Sequence, residues 1–140
     1  MKDAYVDAFR EVIKETSVTT GYELPEAVEC YVVMLLASFM DRPRFIPEEG
    51  FGRALLTLEN PKHRSAKELG DACLFVSGVF PKYGQKYGIS KDYYVSIGIS
   101  SYDIVSQHLH PELFKILSQE FNFVSNFIGL STCPKSLHQS

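Results

Sequence analysis

An all-α fold, a compact bundle of five to six helices, is what this 140-residue sequence points to. Two observations carry that expectation. Apolar side chains recur three and four residues apart over most of the chain, the spacing of a helix with one buried stripe. No segment alternates apolar and polar residues between hairpin-turn residues, as a half-buried strand would. With no internal boundary in composition or charge, residues 1–130 read as a single helical domain and 131–140, a polar run, as a flexible tail.

The elements follow in order. Tyr5, Val6, Phe9, Val12, Ile13 and Thr16 make one stripe, which predicts a first helix over 3–16 with a charged outer face, followed by a loop from Ser17 to Glu23. Pro25 suits the first turn of a second helix, where its missing N–H would have no partner anyway. That helix, about 25–40, is apolar on every side after Glu29 and is expected at the centre of the fold. Pro43 and Pro47 bracket an extended segment, and Pro47, Glu48 and Glu49 open a short third helix ending near Asn60. Ser65 and Glu68 have capping-box spacing, so a fourth helix is expected over 66–79. Ser90 and Asp92 cap a fifth, 91–108, and His110-Pro111-Glu112 starts a sixth that reaches Ile128. Leu113, Leu117, Phe121, Val124 and Ile128 give this last helix its stripe. Phe114, Ile116, Phe123 and Phe127 widen the stripe beyond an ordinary amphipathic face, which assigns the surplus, chiefly Phe114, Phe123 and Phe127, to a contact with another surface.

The bulk numbers exclude several classes. A composition 45% hydrophobic and 22% charged is that of a globular chain, and a net charge of -3 leaves no electrostatic footprint for nucleic acid or an anionic membrane. The longest apolar run, residues 30–40, is well short of the roughly 20 residues of a membrane helix. Charges spread through the N-terminal stretch do not follow a secretory signal, so the expected location is cytoplasmic. Cys30, Cys73 and Cys133 lie far apart and predict neither a disulfide framework nor a zinc site.

The stretch LGDACLFVSGVFP, residues 69–81, poses the sharpest question, because glycine inside a helix costs about 1 kcal/mol relative to alanine. Leu69, Cys73, Val76 and Phe80 form one row of the fourth helix, and Gly70, Leu74, Ser77 and Gly78 the next. Small residues there let a neighbour come close. Asp71 shares a stripe with Phe75 and Gly78, so it is drawn inward, and a buried carboxylate needs hydrogen-bond donors or a raised pKa. The phenols of the fifth helix, Tyr94 and Tyr102 on one row with Gly98 and Tyr93 beside them, are the expected donors across an antiparallel contact, with His108 a further member. The alternative is an exposed Asp71 that simply pairs with Lys67 at i-4.

The pattern LGDxCLFxSGxFP followed by DYYxxxGxxxY resembles that of a group of small bacterial all-helical proteins. Gly70, Asp71, Leu74, Phe75, Gly78, Phe80, Tyr93, Tyr94, Gly98 and Tyr102 carry the likeness, which covers residues 69–102. It implies a helical fold and a bacterial source, and brings no activity with it.

Other constellations read as structure. His108 and His110 would point about 200° apart on a helix and have no carboxylate at ligand spacing, so no metal is expected. Ser77-Gly78 lacks the strand-to-helix elbow of a nucleophile, and Cys73 sits on an apolar row as a core residue. Arg42, Arg44, Arg53, Lys62, His63, Arg64 and Lys67 concentrate positive charge; if their loops converge, Arg42, Arg44, Lys62 and Arg64 form an anion site. The function expected from these features is that of a non-enzymatic helical module acting through contact with a protein partner or with itself, without a cofactor. The competing expectation is a small-molecule pocket or enzyme centred on Asp71 and the tyrosines of the fifth helix.

Overall fold

A computed structural model describes residues 2–41 and 63–133, with side chains from Ala4 to Met40 and from Ser65 to Cys133. Six α-helices fill these residues: α1 Lys2–Thr20, α2 Glu26–Asp41, α3 His63–Val79, α4 Lys91–Ser106, α5 Pro111–Gln119 and α6 Phe121–Thr132, with one 3-10 turn at Gln85–Tyr87. None of the described residues forms a strand, and the fold is an all-α bundle. The expected helix over 47–60 and the tail from 134 onward lie outside the described residues.

The first helix outruns its apolar stripe. It runs four residues into the expected loop, to Thr20, and the hydroxyls of Thr16 and Thr20 donate to the carbonyls one turn earlier, of Val12 (3.0 Å) and Thr16 (2.8 Å). It stops at Gly21, whose left-handed backbone (φ 80°) no branched residue would adopt so readily.

The centre of the bundle is α3 and not α2. Every residue from Ala72 to Gly78 is buried, whereas Ala27, Cys30, Met34 and Met40 of α2 are exposed. Hydropathy misled here because glycine and serine fit an interior crossed by other helices for their size, while α2 needs only one face to cover its neighbours. The Ser65–Glu68 pair does not start α3. The helix is already running at His63, so Ser65 lies inside its first turns rather than in the extended backbone an N-cap requires.

Helices α3 and α4 make the most extensive contact of the bundle; α5 lies on α4, α6 on α3, and α1 touches both α2 and α6. At the start of α4, Ser90 holds the N-cap position in extended backbone, but its hydroxyl makes no capping bond. His110 likewise stands at the start of α5 in a left-handed conformation (φ 37°) without a side-chain cap.

The expected sixth helix is two helices, parted at Glu120 (φ -106°, ψ 20°). The break lets one apolar sequence serve two neighbours, α5 packing on α4 and α6 on α3 and α1. It also corrects the assignment of surplus aromatic area. Phe114 and Phe127 are buried in the chain's own core, and of the three phenylalanines expected at an external contact only Phe123 is exposed. The docking is tight: a Cβ at Gly98 would meet the ring of Phe121, and one at Gly78 would lie 2.8 Å from Ile128 Cγ2. Gly98→Ala is therefore expected to lower stability by about 1–3 kcal/mol, the range for overpacking, read as a fall in the urea midpoint without a change in slope.

Candidate functional site

Asp71 stands at the meeting point of α2, α3 and α4. Its Oδ1 accepts hydrogen bonds from the phenols of Tyr31 on α2 (2.5 Å) and Tyr102 on α4 (2.6 Å). Its Oδ2 accepts from the Lys67 ammonium one helical turn earlier, at 2.9 Å. Lys67 Nζ also lies 5.3 Å from the centre of the Tyr31 ring, within cation–π range. The carboxylate side chain is 15% exposed and the lysine 38%, so the cluster opens to water at its ammonium end.

Local sequence explains the placement. Tyr102 reaches Asp71 because Gly70 leaves room for its ring: a Cβ there would lie 2.7 Å from two ring carbons. Phe114 of α5 packs against both phenol rings, at 5.5 Å from Tyr31 and 5.6 Å from Tyr102, fixing their orientation from the far side. The glycine in the helix interior is thus exchanged for a ring that carries a donor to a carboxylate.

Burial, and then the negative charge of Asp71, push the Tyr31 and Tyr102 phenols well above the usual tyrosine range. Both therefore hold their protons and act as donors. Two phenols and an ammonium give both oxygens of the carboxylate hydrogen-bond donors, which is the requirement for keeping such a group inside a fold.

The expected cluster is met in part. Asp71 and Tyr102 come together; Tyr93, Tyr94 and His108 do not join them. Tyr94 and Tyr102 share a row but sit eight residues apart, about 12 Å along the axis, so only one can face Asp71. Tyr94 instead packs edge-on to Tyr83 and Tyr93 at 5.8 and 5.2 Å, at the other end of α4. Burial raises its phenol too, with Tyr83, Tyr93 and Cys73 adding to the effect. Tyr93 is exposed, and His108 is exposed in the turn beyond the end of α4. Lys67 pairs with Asp71, but with a largely buried one, so the two expectations for this carboxylate combine.

Tyr31 was hidden in a run that reads as wholly apolar. The signal was its hydroxyl, since a phenol within a buried helix must find a polar partner. Of the expected anion site, Arg42, Arg44 and Lys62 lie outside the described residues, and only the helical backbone of Arg64 is described.

Ser77 is buried, donates to the Leu74 carbonyl and accepts from Ser125 on α6 (2.9 Å), a helix-to-helix link and not a nucleophile's setting. Cys73 is fully buried, and that burial pushes its thiol up, away from the reactive thiolate. Among the described residues no three His, Cys, Asp or Glu side chains converge as metal ligands, and no helix is long and apolar enough to cross a membrane. Compared with protein-family models, curated proteins and solved structures, the chain matches none of them.

Tyr102→Phe removes a donor to a charged acceptor and is expected to cost about 1.5–3 kcal/mol. Lys67→Met, at the half-exposed end, is expected to cost under about 1 kcal/mol. Chemical denaturation of the two variants checks the order. The raised phenols also fix the sign of an alkaline effect: their contribution is complete below the unfolded tyrosine pKa of about 10 and is lost as pH rises towards the folded values. Stability should fall above pH 10, less steeply in Tyr102→Phe, and absorbance titration should show Tyr31 and Tyr102 ionising only as the fold opens.

Proposed function

We propose that this protein is a non-enzymatic helical module that works through protein–protein contact, and that α6 carries the contact. The observation behind the reading is the outer face of α6. Phe123 and Leu130 lie seven residues apart on one side of the helix, 37% and 58% exposed, and exposed Tyr22 from the turn after α1 meets Phe123 edge-on at 5.9 Å. Asn122 and Asn126 flank them, and residues 121–132, FNFVSNFIGLST, include no charged side chain. Uncharged faces mixing aromatic and aliphatic groups with amides have the character of a contact core, where charge is depleted and aromatics are enriched.

The state of Asp71 supports the same reading against a catalytic or ligand pocket. Its two oxygens are engaged by Tyr31, Tyr102 and Lys67, which favours a role in holding helices together. We propose the cytoplasm of a bacterial cell as its location, in keeping with three cysteines too widely spaced for a disulfide framework and with its LGDxCLFxSGxFP pattern.

A photo-cross-linking residue tests the proposal. Benzoylphenylalanine at position 123 is expected to give a discrete adduct with a protein on irradiation in cells, and the same residue at position 115, on the charged face of α5, is expected to give none. Equal adducts from both positions, or none from 123, would overturn the assignment.

A further inference from the structure

We infer that the connection between α3 and α4 docks an acidic peptide segment of a partner protein, on a surface separate from that of α6. No residue of 80–90 is buried, yet the backbone there is tied down. The amides of Tyr83, Gln85, Tyr87 and Ile89 donate to the carbonyls of Phe80, Lys82, Gly84 and Gly84 again. Gly84 (φ 83°) and Gly88 (φ 78°) take the left-handed backbone that these turns require. From below, buried Tyr94 supports the loop: its hydroxyl would lie 2.6 Å from a Cβ at Gly84, and the rings of Tyr83 and Tyr93 rest edge-on against it. Side chains carried on a loop held in this way lose little further freedom when a ligand arrives.

What the loop presents is a set of donors. Tyr83, Tyr87 and Tyr93 are exposed, Tyr87 by 74%, and so are Lys82 and Lys86. Among the described residues their hydroxyls and ammonium groups have no hydrogen-bond or ion-pair partner. In the core, two phenols and a lysine ammonium hold one carboxylate, that of Asp71. The pairing of cation and phenol recurs outside: Lys86 Nζ stands 5.3 Å from the centre of the Tyr87 ring, the separation of Lys67 from Tyr31 beside Asp71. The carboxylate is what the outer set lacks. Residues 72–91 include three lysines and no acidic side chain, in a chain whose net charge is -3.

Charge selects the class of occupant. Two exposed ammonium groups are too few to follow a phosphate backbone, and the negative charge of the whole chain opposes a polyanion or an anionic bilayer. A peptide with Asp or Glu among apolar residues needs no wider field. Its carboxylates accept from the phenols and ammonium groups, and its apolar side chains cover the ring of Tyr87. Such a contact is weak and sensitive to salt.

Selection of a random-peptide phage library on the full chain tests this. The recovered peptides are expected to be richer in Asp and Glu than the input. Synthetic copies of them should bind roughly tenfold or more weakly to Lys86→Glu and to Tyr87→Ala, and equally well to Lys115→Glu on the outer face of α5. These side chains are exposed, so circular dichroism and the urea midpoint are expected to stay as in the wild type. A uridine oligonucleotide and phosphatidylglycerol vesicles are expected not to bind. A selection without acidic enrichment, or peptides that bind both loop variants as they bind the wild type, would overturn the inference. Peptides lost in Leu130→Lys and kept in Tyr87→Ala would move recognition to α6 and overturn it too, while leaving the α6 contact standing. Tighter binding of the oligonucleotide or the vesicles through Lys86 and Tyr87 would assign the loop to a polyanion instead.

Discussion

Tyr102 lying in the notch of Gly70, with its hydroxyl on Asp71, fixes how α3 and α4 sit against one another. An anion without donors in that position would cost several kcal/mol, so a slide of either helix that moved the phenol off the carboxylate is penalised far more steeply than the loss of ordinary apolar contact. The same bond network reaches sideways. Helix α2 touches α3 over a short length only, and the Tyr31 phenol on Asp71 Oδ1 ties it there. Phe114 packed on both phenols adds α5 to the same point. Four helices therefore take their relative positions from one side chain that hydropathy alone would have put in water.

Away from Asp71 the same logic recurs with neutral groups. Ser125 donates to Ser77 and joins α6 to α3; Ser131 donates to Thr16 and joins α6 to α1; Ser118 donates to the carbonyl of Ile99 and joins α5 to α4. Each link is short-ranged and directional, whereas apolar burial is neither. Greasy surfaces hold these helices together, and hydroxyls set the register in which they meet. No buried side-chain nitrogen or oxygen among the described residues is left without a partner, so this specification carries no desolvation penalty of the kind that an unsatisfied group imposes.

How much of this was legible in the sequence depended on whether the deciding force was local. Helix existence was readable because the 3.6-residue period is a property of each segment. Asp71 and Tyr102 were readable because a carboxylate on an inward stripe states a need and a phenol row on the next helix can meet it. Tyr31 was not, since a period count scores a tyrosine among valines and leucines as one more apolar residue. The parting of α5 from α6 was also hidden. Glu120 is a good helix former and the apolar stripe runs through it without a break in phase, so only the presence of two different neighbours, α4 and α3, decides that the chain must turn. For the same reason a wide aromatic face could be recognised as too wide for one contact, but the sequence had no means of saying that the second contact was inside the molecule.

That turn at Glu120 also determines what the outside of α6 looks like. Once α6 is laid against α3 through Gly78 and Ile128, and against α1 through Ser131 and Thr16, its inward positions are assigned: Phe121, Val124, Ser125, Phe127 and Ile128 are buried. Phe123 and Leu130 fall on the remaining side, together with the two asparagines. Nothing in helix formation asks for apolar residues there; lysine or glutamate would propagate the helix better than phenylalanine or asparagine and would add exposed charge at no cost to the core. The inner face of α6 is accounted for by the packing of α3 and α1, and the outer face is not. Phe123 and Leu130 therefore stand exposed on a helix whose residues 121–132 include no charged side chain, and the packing of α6 onto α3 and α1 does not account for them.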